Sequence, residues 1–305
     1  MKLVKLNISP LPFYDNLAQQ NYRKDYAYGQ VYQLITYKNM LLPFQVALAS
    51  GTSVSRVRLY DFNTGKYTDI TTNMKENGLV IESYTGFKLL KYPGTLPVIG
   101  IKQEGQYYLE ITLGYKERSE TPLPAVGFAD YTDTSVNDTI YSDIFTSCNK
   151  VDDYLKLEYS NTHNFKLRDS EIDFSKGFKF VCYLSTQIGK PEYEFEEEAT
   201  SRLGYKFVES QVSKKIYKFT FLAPEYLCDA LRLVRLCDYK HITSKLQEYD
   251  LMSFSMEPKW EEQGDLAAVE CEFETDNVLV ATLGGPDLVD GDFNNDFNND
   301  FNIEN

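Results

Sequence analysis

The sequence predicts a mainly β protein, because its aromatic content and its pattern of alternation agree. The 305 residues include 24 Tyr and 19 Phe but one Trp, and Tyr and Phe are enriched in strands. Short alternating segments are separated by Gly, Asn and Pro, which is typical of β-sandwiches. We therefore expect a β-sandwich N-terminal domain and a C-terminal β-barrel or β-sandwich domain flanked by one α-helix.

The N-terminal domain is predicted to span residues 1–125. Residues 57–62 alternate, Asn63-Thr64-Gly65 follows, and residues 66–68 alternate again. This is the pattern of two strands joined by a tight turn, since Asn and Gly tolerate positive φ. Residues 107–113 alternate as well, with their apolar side chains on one face.

A linker is predicted at residues 118–125, which contain two prolines and little periodicity. The second, β-rich domain then spans residues 126–286. The final residues 287–305 carry six acids and no base in an Asp-Phe-Asn-Asn repeat, which predicts an acidic, disordered tail. A calcium loop in this tail is disfavoured, because Asn295 replaces the glycine at position six and Phe301 the glutamate at position twelve.

One helix is predicted, over residues 224–237. Pro224 suits the first turn of a helix, where its missing N–H is not needed. Leu227, Leu231 and Val234 follow at helical spacing and should pack on the sheet as core. Arg232 and Arg235 fall off this apolar stripe, so we expect them to face solvent or a neighbouring protein.

The last predicted strand, residues 266–274, alternates apolar and acidic residues. Val269 and Phe273 should point into the core. Trp260 precedes the turn at Gln263-Gly264-Asp265, and we expect its large ring to close one end of the core.

Charge is distributed unevenly along the chain. Residues 1–125 have 14 Lys and Arg against 10 Asp and Glu (+4), residues 126–286 have 17 against 29 (−12), and the tail adds −6. One interpretation is an ordinary solvated surface. The other is attraction between the N-terminal domain of one copy and the C-terminal domain of the next. Nucleic acid is not an expected partner, because there is no cluster of basic residues.

Catalytic and metal-binding patterns are missing from the sequence. The chain has two histidines and five cysteines without metal-ligand spacing, so we predict reduced, buried thiols. The acidic residues 191–198 lack the Gly and Asn offsets of a cation loop, which favours a solvated loop or strand edge. A glycosidase carboxylate pair stays open, but we predict no enzyme, no cofactor and no metal. No signal-peptide or membrane-spanning run is present, so a membrane is not an expected partner.

Residues 223–276 carry the most specific pattern. It starts with Pro-Glu-Tyr-Leu-Cys-Asp-Ala-Leu-Arg-Leu-Val-Arg-Leu-Cys-Asp at 224–238 and continues with Trp260 and Gln-Gly-Asp-Leu-Ala-Ala-Val-Glu-Cys-Glu-Phe at 263–273. This segment resembles the closing segment of structural proteins of Bacteroidetes phages and prophages, of the tail or baseplate type. The resemblance lies mainly within residues 178–276.

The resemblance implies a virion structural protein, a tail or baseplate subunit of the distal-tail or adaptor type. Such a subunit would form a homo-oligomer, expected to be a ring, would contact other virion proteins, and would be synthesised in the host cytoplasm. The resemblance supplies no catalytic residue. The alternative is a glycan-binding or adhesive surface module of a Bacteroidetes cell, for which a host-surface glycan would be the partner. The single Trp and the missing export signal argue against this alternative.

Overall fold

Strands form most of the described part of the chain, as the composition predicts. The computed structural model describes residues 4–15, 32, 34–102, 104–122, 129–150, 154–167, 170–202, 205–245, 247–260, 266–275 and 279–282. Within them lie several sheets and two short α-helices, α1 (Thr71–Glu76) and α2 (Glu225–Leu231). The predicted tail, residues 287–305, lies outside the described residues.

The front half of the described chain consists of two sheets. Its strands are β1 (Val4–Asn7), β2 (Phe13–Tyr14), β3 (Leu34–Tyr37), β4 (Phe44–Ala49), β5 (Ser53–Asp61), β6 (Tyr67–Asp69), β7 (Val80–Tyr84), β8 (Phe87–Tyr92), β9 (Gly105–Pro122), β10 (Ala129–Ser142) and β11 (Phe145–Cys148). Sheet I has the order β1-β4-β8-β7. Sheet II has the order β2-β10-β9-β11-β3, and β5 pairs with β9 and with β6.

Sheets I and II share one apolar core. Phe44 and Val46 of sheet I lie in the same buried cluster as Leu109, Ile111 and Phe145 of sheet II. In sheet II, Leu109, Ile111 and Phe145 alternate along their strands with more exposed side chains, so this sheet turns one face inward. In sheet I, all six residues of β4 are buried. The result is the sandwich-like arrangement that the alternation predicts.

The turn between β5 and β6 lies where the Asn-Thr-Gly pattern predicts it. Asp61 Oδ1 accepts hydrogen bonds from the backbone N–H groups of Asn63 and Thr64, both at 3.0 Å. Gly65 adopts a φ of +66°, a conformation that glycine reaches without strain. Local turn chemistry therefore fixes this hairpin.

The rear half has one large sheet. Its strands are β12 (Leu155–Ser160), β13 (Phe165–Lys166), β14 (Glu171–Ile172), β15 (Phe180–Leu184), β16 (Glu192–Arg202), β17 (Tyr205–Pro224), β18 (Tyr239–Thr243), β19 (Glu248–Trp260), β20 (Leu266–Thr275) and β21 (Leu279–Thr282). Sheet III has the order β15-β12-β18-β19-β20-β17-β16, and β21 also pairs with β17. Strands β13 and β14 form a separate pair.

The helix α2 lies on the apolar side of sheet III. Leu227 and Leu231 belong to the same buried cluster as Phe219 of β17 and Phe273 of β20. The hydroxyl of Tyr159, on β12, donates a hydrogen bond of 3.2 Å to the carbonyl oxygen of Ala230. The helix is therefore attached to the sheet by both apolar burial and a buried polar contact.

The helix is shorter than the predicted span of residues 224–237. Pro224 is the residue before the helix, and α2 ends at Leu231. A 3-10 turn, Val234–Leu236, follows. Because Leu233, Val234 and Cys237 are all buried, a continuous α-helix could not place them all on the side that carries Leu231, and the winding changes.

The boundary predicted at residue 125 is wrong. Strands β9 and β10 pair along residues 110–122 and 129–141, so both belong to sheet II. The change of sheet comes later, between Cys148 at the end of β11 and Leu155 at the start of β12. The proline at residue 122 lies at the end of a long strand. Proline has no N–H to donate to a neighbouring strand, and at a strand end this donor is not needed.

Trp260 does not close the core as predicted, because its side chain is 47% exposed. It is the last residue of β19 and lies opposite Ala267. Strand β18 pairs only with residues 248–250 of β19, so the end of β19 extends beyond the part of the sheet that β18 covers. The ring therefore lies at the rim of the rear half.

Candidate interaction site

The longest projection of the rear half is a β-hairpin formed by β16 and β17. Strand β16 pairs with residues 205–216 of β17, whereas β20 pairs with β17 only from Ile216 onward. Residues 192–202 and 205–215, the rear arm, therefore extend past β20 by roughly 35 Å at the usual rise per residue. Strand β21 adds a short third strand along residues 210–213.

The rear arm has an aromatic face that the body of the protein leaves uncovered. Tyr193 and Phe195 are 61% and 71% exposed. They lie on one face of β16, opposite Lys215 and Ser213, and Glu197 follows on the same face. Since narrow β-ribbons are marginally stable in water, a surface that covers these rings would stabilise the arm.

The other face of the rear arm carries ion pairs. Glu196 lies 2.6 Å from Lys214, and Glu192 lies 2.6 Å from Lys218. These pairs are exposed to solvent, so they contribute little to the stability of the hairpin. They distinguish this solvated face from the aromatic face.

The outer edge of β16 is open, since β16 is the last strand of sheet III in the described residues. Open strand edges present unpaired N–H and C=O groups to which another strand can pair. Residues 191–198 were predicted to form a solvated loop or an exposed strand edge. From residue 192 onward the structure agrees with the strand edge. Among the described residues no group of three or more potential ligands could hold a metal ion there or elsewhere.

A second hairpin projects from the front half. Strands β9 and β10 pair over their whole shared length, but β5 covers β9 only as far as Gly114. The backbone of residues 115–122 and 129–136 therefore extends beyond β5. A long hairpin therefore projects from each half of the described chain.

A groove of about 210 Å³ lies beside strand β7 in the front half. Its apolar lining comes from Val54, Leu79, Ile81 and Leu90, and its charged lining from Lys75 and Lys88. No carboxylate contributes to the lining described. Strand β7 is the end strand of sheet I within the described chain, so this basic groove adjoins a second open edge.

A cleft of about 370 Å³ separates parts of the two halves. Tyr37 and Tyr183 line it together with Lys156 and Glu158, whose charged groups lie 3.0 Å apart. Burial raises the pKa of Tyr183 to about 12, so its hydroxyl stays protonated at neutral pH. The cleft has the size of a small-molecule site, and its lining also includes a further cation, Lys179.

A buried ion pair joins the two halves. Lys91 of β8 donates a hydrogen bond to Asp173, which follows β14; their side chains are 5% and 1% exposed. Tyr84 donates to the same carboxylate at 2.8 Å. The amide of Gln45 donates to the carbonyl oxygen of Asp173 at 2.6 Å and accepts from its N–H at 3.0 Å. These contacts satisfy the charge that burial would otherwise leave unpaired.

The hydrogen bonds around Asp173 determine its ionisation. Burial acts to raise the pKa of this carboxyl, but hydrogen bonds from Lys91, from Ser175 and from Tyr84 outweigh it, so the pKa lies well below its ordinary value of 3.8. The same environment raises the pKa of Tyr84, first through burial and then through its bond to Asp173. Asp173 is therefore a structural anion that links the two halves.

The nucleophilic and basic side chains show structural roles. All five cysteines are free, and four are buried; burial raises the pKa of the Cys182 and Cys237 thiols to about 12. His241 Nδ1 lies 2.7 Å from Asp250 Oδ1, its cross-strand partner in the β18–β19 hairpin. Among the described helices, none has both the length and the apolar content of a membrane span.

The predicted site residues divide into two groups. Leu227, Leu231, Val234, Val269 and Phe273 are buried in the rear core. Arg232 and Arg235, the predicted interface residues, are exposed, and Arg232, which directly follows α2, lies 3.5 Å from Asp229 of that helix. The rear arm was predicted only as a solvated or edge segment, although the alternation of Tyr193 and Phe195 with glutamates is a local signal for one aromatic face.

Comparisons of this chain with known protein families, with curated proteins and with solved structures find no match. The resemblance of residues 223–276 to phage structural proteins therefore stays a prediction from the sequence.

Proposed function

We propose that this protein is a structural subunit that assembles with copies of itself through its projecting hairpins. The observation that carries this proposal is the uncovered aromatic pair, Tyr193 and Phe195, on an arm with an open strand edge. Tyrosine and phenylalanine supply large contact areas at low conformational cost, which suits an interface.

The particular assembly that we propose is the tail or baseplate of a phage or a phage-derived particle. The resemblance of residues 223–276 supports this assignment, and a subunit that contacts its neighbours through projecting hairpins fits it. In this role the protein would be a part of the virion after synthesis in the host cytoplasm. Its partners would be further copies, in a ring, and other virion proteins.

Sedimentation velocity and electron microscopy of the purified full-length chain test the proposal. Concentration-dependent oligomers, with rings among the particles, are the expected result. A chain that stays monomeric at the highest attainable concentration would contradict a role in self-assembly.

Replacing the two arm aromatics by serine, Tyr193→Ser with Phe195→Ser, should weaken self-association. Truncating one aromatic anchor of an interface costs about 2 kcal/mol or more, which corresponds to about thirtyfold in the dissociation constant. Sedimentation equilibrium measures this change. The matched control is Met252→Ser, since Met252 is similarly exposed, at 64%, but lies on β19, which β20 and β17 separate from β16. An equal loss of association in both variants would show that the effect is not specific to the arm.

Association should also weaken as the salt concentration rises. The front of the sequence carries +4 and the region 126–286 carries −12, and exposed charges are screened beyond about 8–10 Å at physiological ionic strength. Sedimentation at low and high salt checks this, with a chain lacking residues 287–305 compared in parallel. Association that is equal or stronger at high salt would mean that the contacts are apolar.

The alternative function, glycan binding, would use the cleft between the halves. Tyr37 and Tyr183 offer aromatic faces there, and Lys156 and Glu158 offer polar groups. Titration calorimetry with surface polysaccharides, comparing the parent with Tyr183→Ala, distinguishes this function from assembly. Binding that Tyr183→Ala abolishes would favour the alternative.

A further inference from the structure

We infer that the basic groove of the front half binds the rear arm of a second copy. This inference rests on the proposed self-assembly and identifies the surface that receives the arm. The arm and the groove are different surfaces of one chain, so the contact is heterologous, and its repetition yields a ring if the rotation closes.

The size and lining of the groove fit an aromatic side chain. A cavity of about 150 Å³ lined by apolar side chains holds a benzene ring, and the groove measures about 210 Å³. Its floor contains Leu79, 6% exposed, and the fully buried Leu90. Phe195 is more exposed than Tyr193 and lies on the face that the body leaves uncovered.

The charge beside Phe195 is complementary to that of the groove, whereas Lys215, also on the aromatic face, lies opposite Tyr193. Lys75 is exposed in the last turn of α1, and its ammonium makes no ion pair or hydrogen bond within the described residues. Lys88 is held by a 2.7 Å hydrogen bond to the carbonyl oxygen of Thr52, which keeps its ammonium beside the groove. Glu197 follows Phe195 on the same face of β16, so a carboxylate accompanies the ring that would enter this basic groove.

The strand edges are complementary as well. Strand β7 and strand β16 are each the end strand of their sheet in the described part of the chain. Pairing between two such edges extends a sheet through backbone hydrogen bonds, while side chains determine which edges pair. The only carboxylate of β7, Glu82, points to the face opposite the groove, where it lies 3.0 Å from Lys176 and 3.7 Å from Lys91.

Charge reversal with mixing tests the inference. Lys75→Glu and Glu197→Lys each create like charges at every contact of the homogeneous protein, and each should weaken self-association about tenfold. An equimolar mixture of the two variants should restore association, because alternating copies again pair opposite charges at every contact. Restoration by mixing also shows that both variants are folded.

Two matched controls carry the same change of net charge. Glu257→Lys lies on β19, where Glu257 is exposed and three strands away from β16 in sheet III. Lys66→Glu lies in the exposed β5–β6 turn. Neither should change association by more than about twofold, since exposed charges away from an interface contribute little.

The outcomes separate the inference from the proposed function. If the single variants weaken association and the mixture does not restore it, the groove is not the surface that receives the arm. The same conclusion follows if Lys75→Glu has no effect while Tyr193→Ser with Phe195→Ser abolishes association. In both cases the proposed self-assembly stands. If the parent protein is monomeric, both the inference and the proposed function fail.

Discussion

Leu231→Ala is expected to lower the free energy of unfolding by about 2–5 kcal/mol, as large-to-small changes in a packed core do. Leu231 is the last residue of α2, is fully buried, and belongs to the rear core cluster with Phe219 and Phe273. Its removal would leave a cavity between the helix and sheet III. Urea denaturation monitored by circular dichroism measures the loss.

The matched control for this change is Leu236→Ala. Leu236 is the same residue type in the adjacent 3-10 turn but is 64% exposed, so its truncation should alter stability by no more than about 0.5 kcal/mol. If the midpoint of Leu231→Ala matched that of the parent protein, α2 would not be a core element and the packing described for the rear half would be incorrect.

Local periodicity explains why much of the rear core could be predicted. Leu227, Leu231 and Val234 recur at helical spacing, while Val269 and Phe273 recur at strand spacing, and all five are buried. Burial of one face imposes each of these periods directly on the sequence. A prediction from periodicity therefore works where one element packs against one surface.

The predicted helix was too long because the segment after Leu231 packs on more than one side. Leu233 follows Leu231 by two residues, which is roughly 200° around an α-helix, yet both are buried. The chain leaves the α-helical path and forms the 3-10 turn Val234–Leu236. The spacing of the stripe alone contains no signal for this change of winding.

The predictions of a domain boundary at residue 125 and of a buried Trp260 were wrong because both features depend on strands that are distant in the sequence. Prolines near residue 122 indicate a break in periodicity, but the end of a long hairpin strand and a linker share that composition. Trp260 lies at the end of β19, beyond the residues with which β18 pairs. The residues next to Pro122 and those next to Trp260 contain no pattern from which either arrangement could be predicted.

In the rear arm and the buried ion pair, too, local features could be predicted from the sequence and long-range contacts could not. The alternation at residues 192–198 predicts a strand face, but the fact that the body leaves that face uncovered depends on where β20 ends. Lys91 and Asp173 are 82 residues apart in sequence, and Gln45 and Asp173 are 128 apart. Contacts over such separations leave no pattern in a single sequence.

Asp173→Ala is expected to destabilise the protein by about 3–5 kcal/mol, because removing one partner of a buried ion pair leaves the other charge unpaired. Lys91 would keep the more distant Glu82, at 3.7 Å, and the hydroxyl of Ser175, at 3.5 Å. The hydrogen bonds from Tyr84 and Ser175 would be lost as well. Chemical denaturation at neutral pH measures the effect.

The double variant Lys91→Met with Asp173→Ala distinguishes the contribution of the ion pair to stability from that of the packing around it. Removing both charges avoids an unpaired buried ammonium, so the double variant should be more stable than Asp173→Ala alone. If instead the losses of Lys91→Met and Asp173→Ala simply added, the two groups would act independently.

The pH dependence gives this pair a signature that a packing defect lacks. The folded-state pKa of Asp173 lies below its ordinary value of 3.8. A carboxyl with a lowered folded pKa contributes stability above its unfolded pKa and loses it as the pH falls through the folded pKa. The stability difference between the parent and Asp173→Ala should therefore be constant from neutral pH to about pH 5 and shrink in more acidic solution. A difference that stayed constant below pH 4 would mean that the lost stability reflects packing, since only an ionised carboxylate can lose its contribution on protonation.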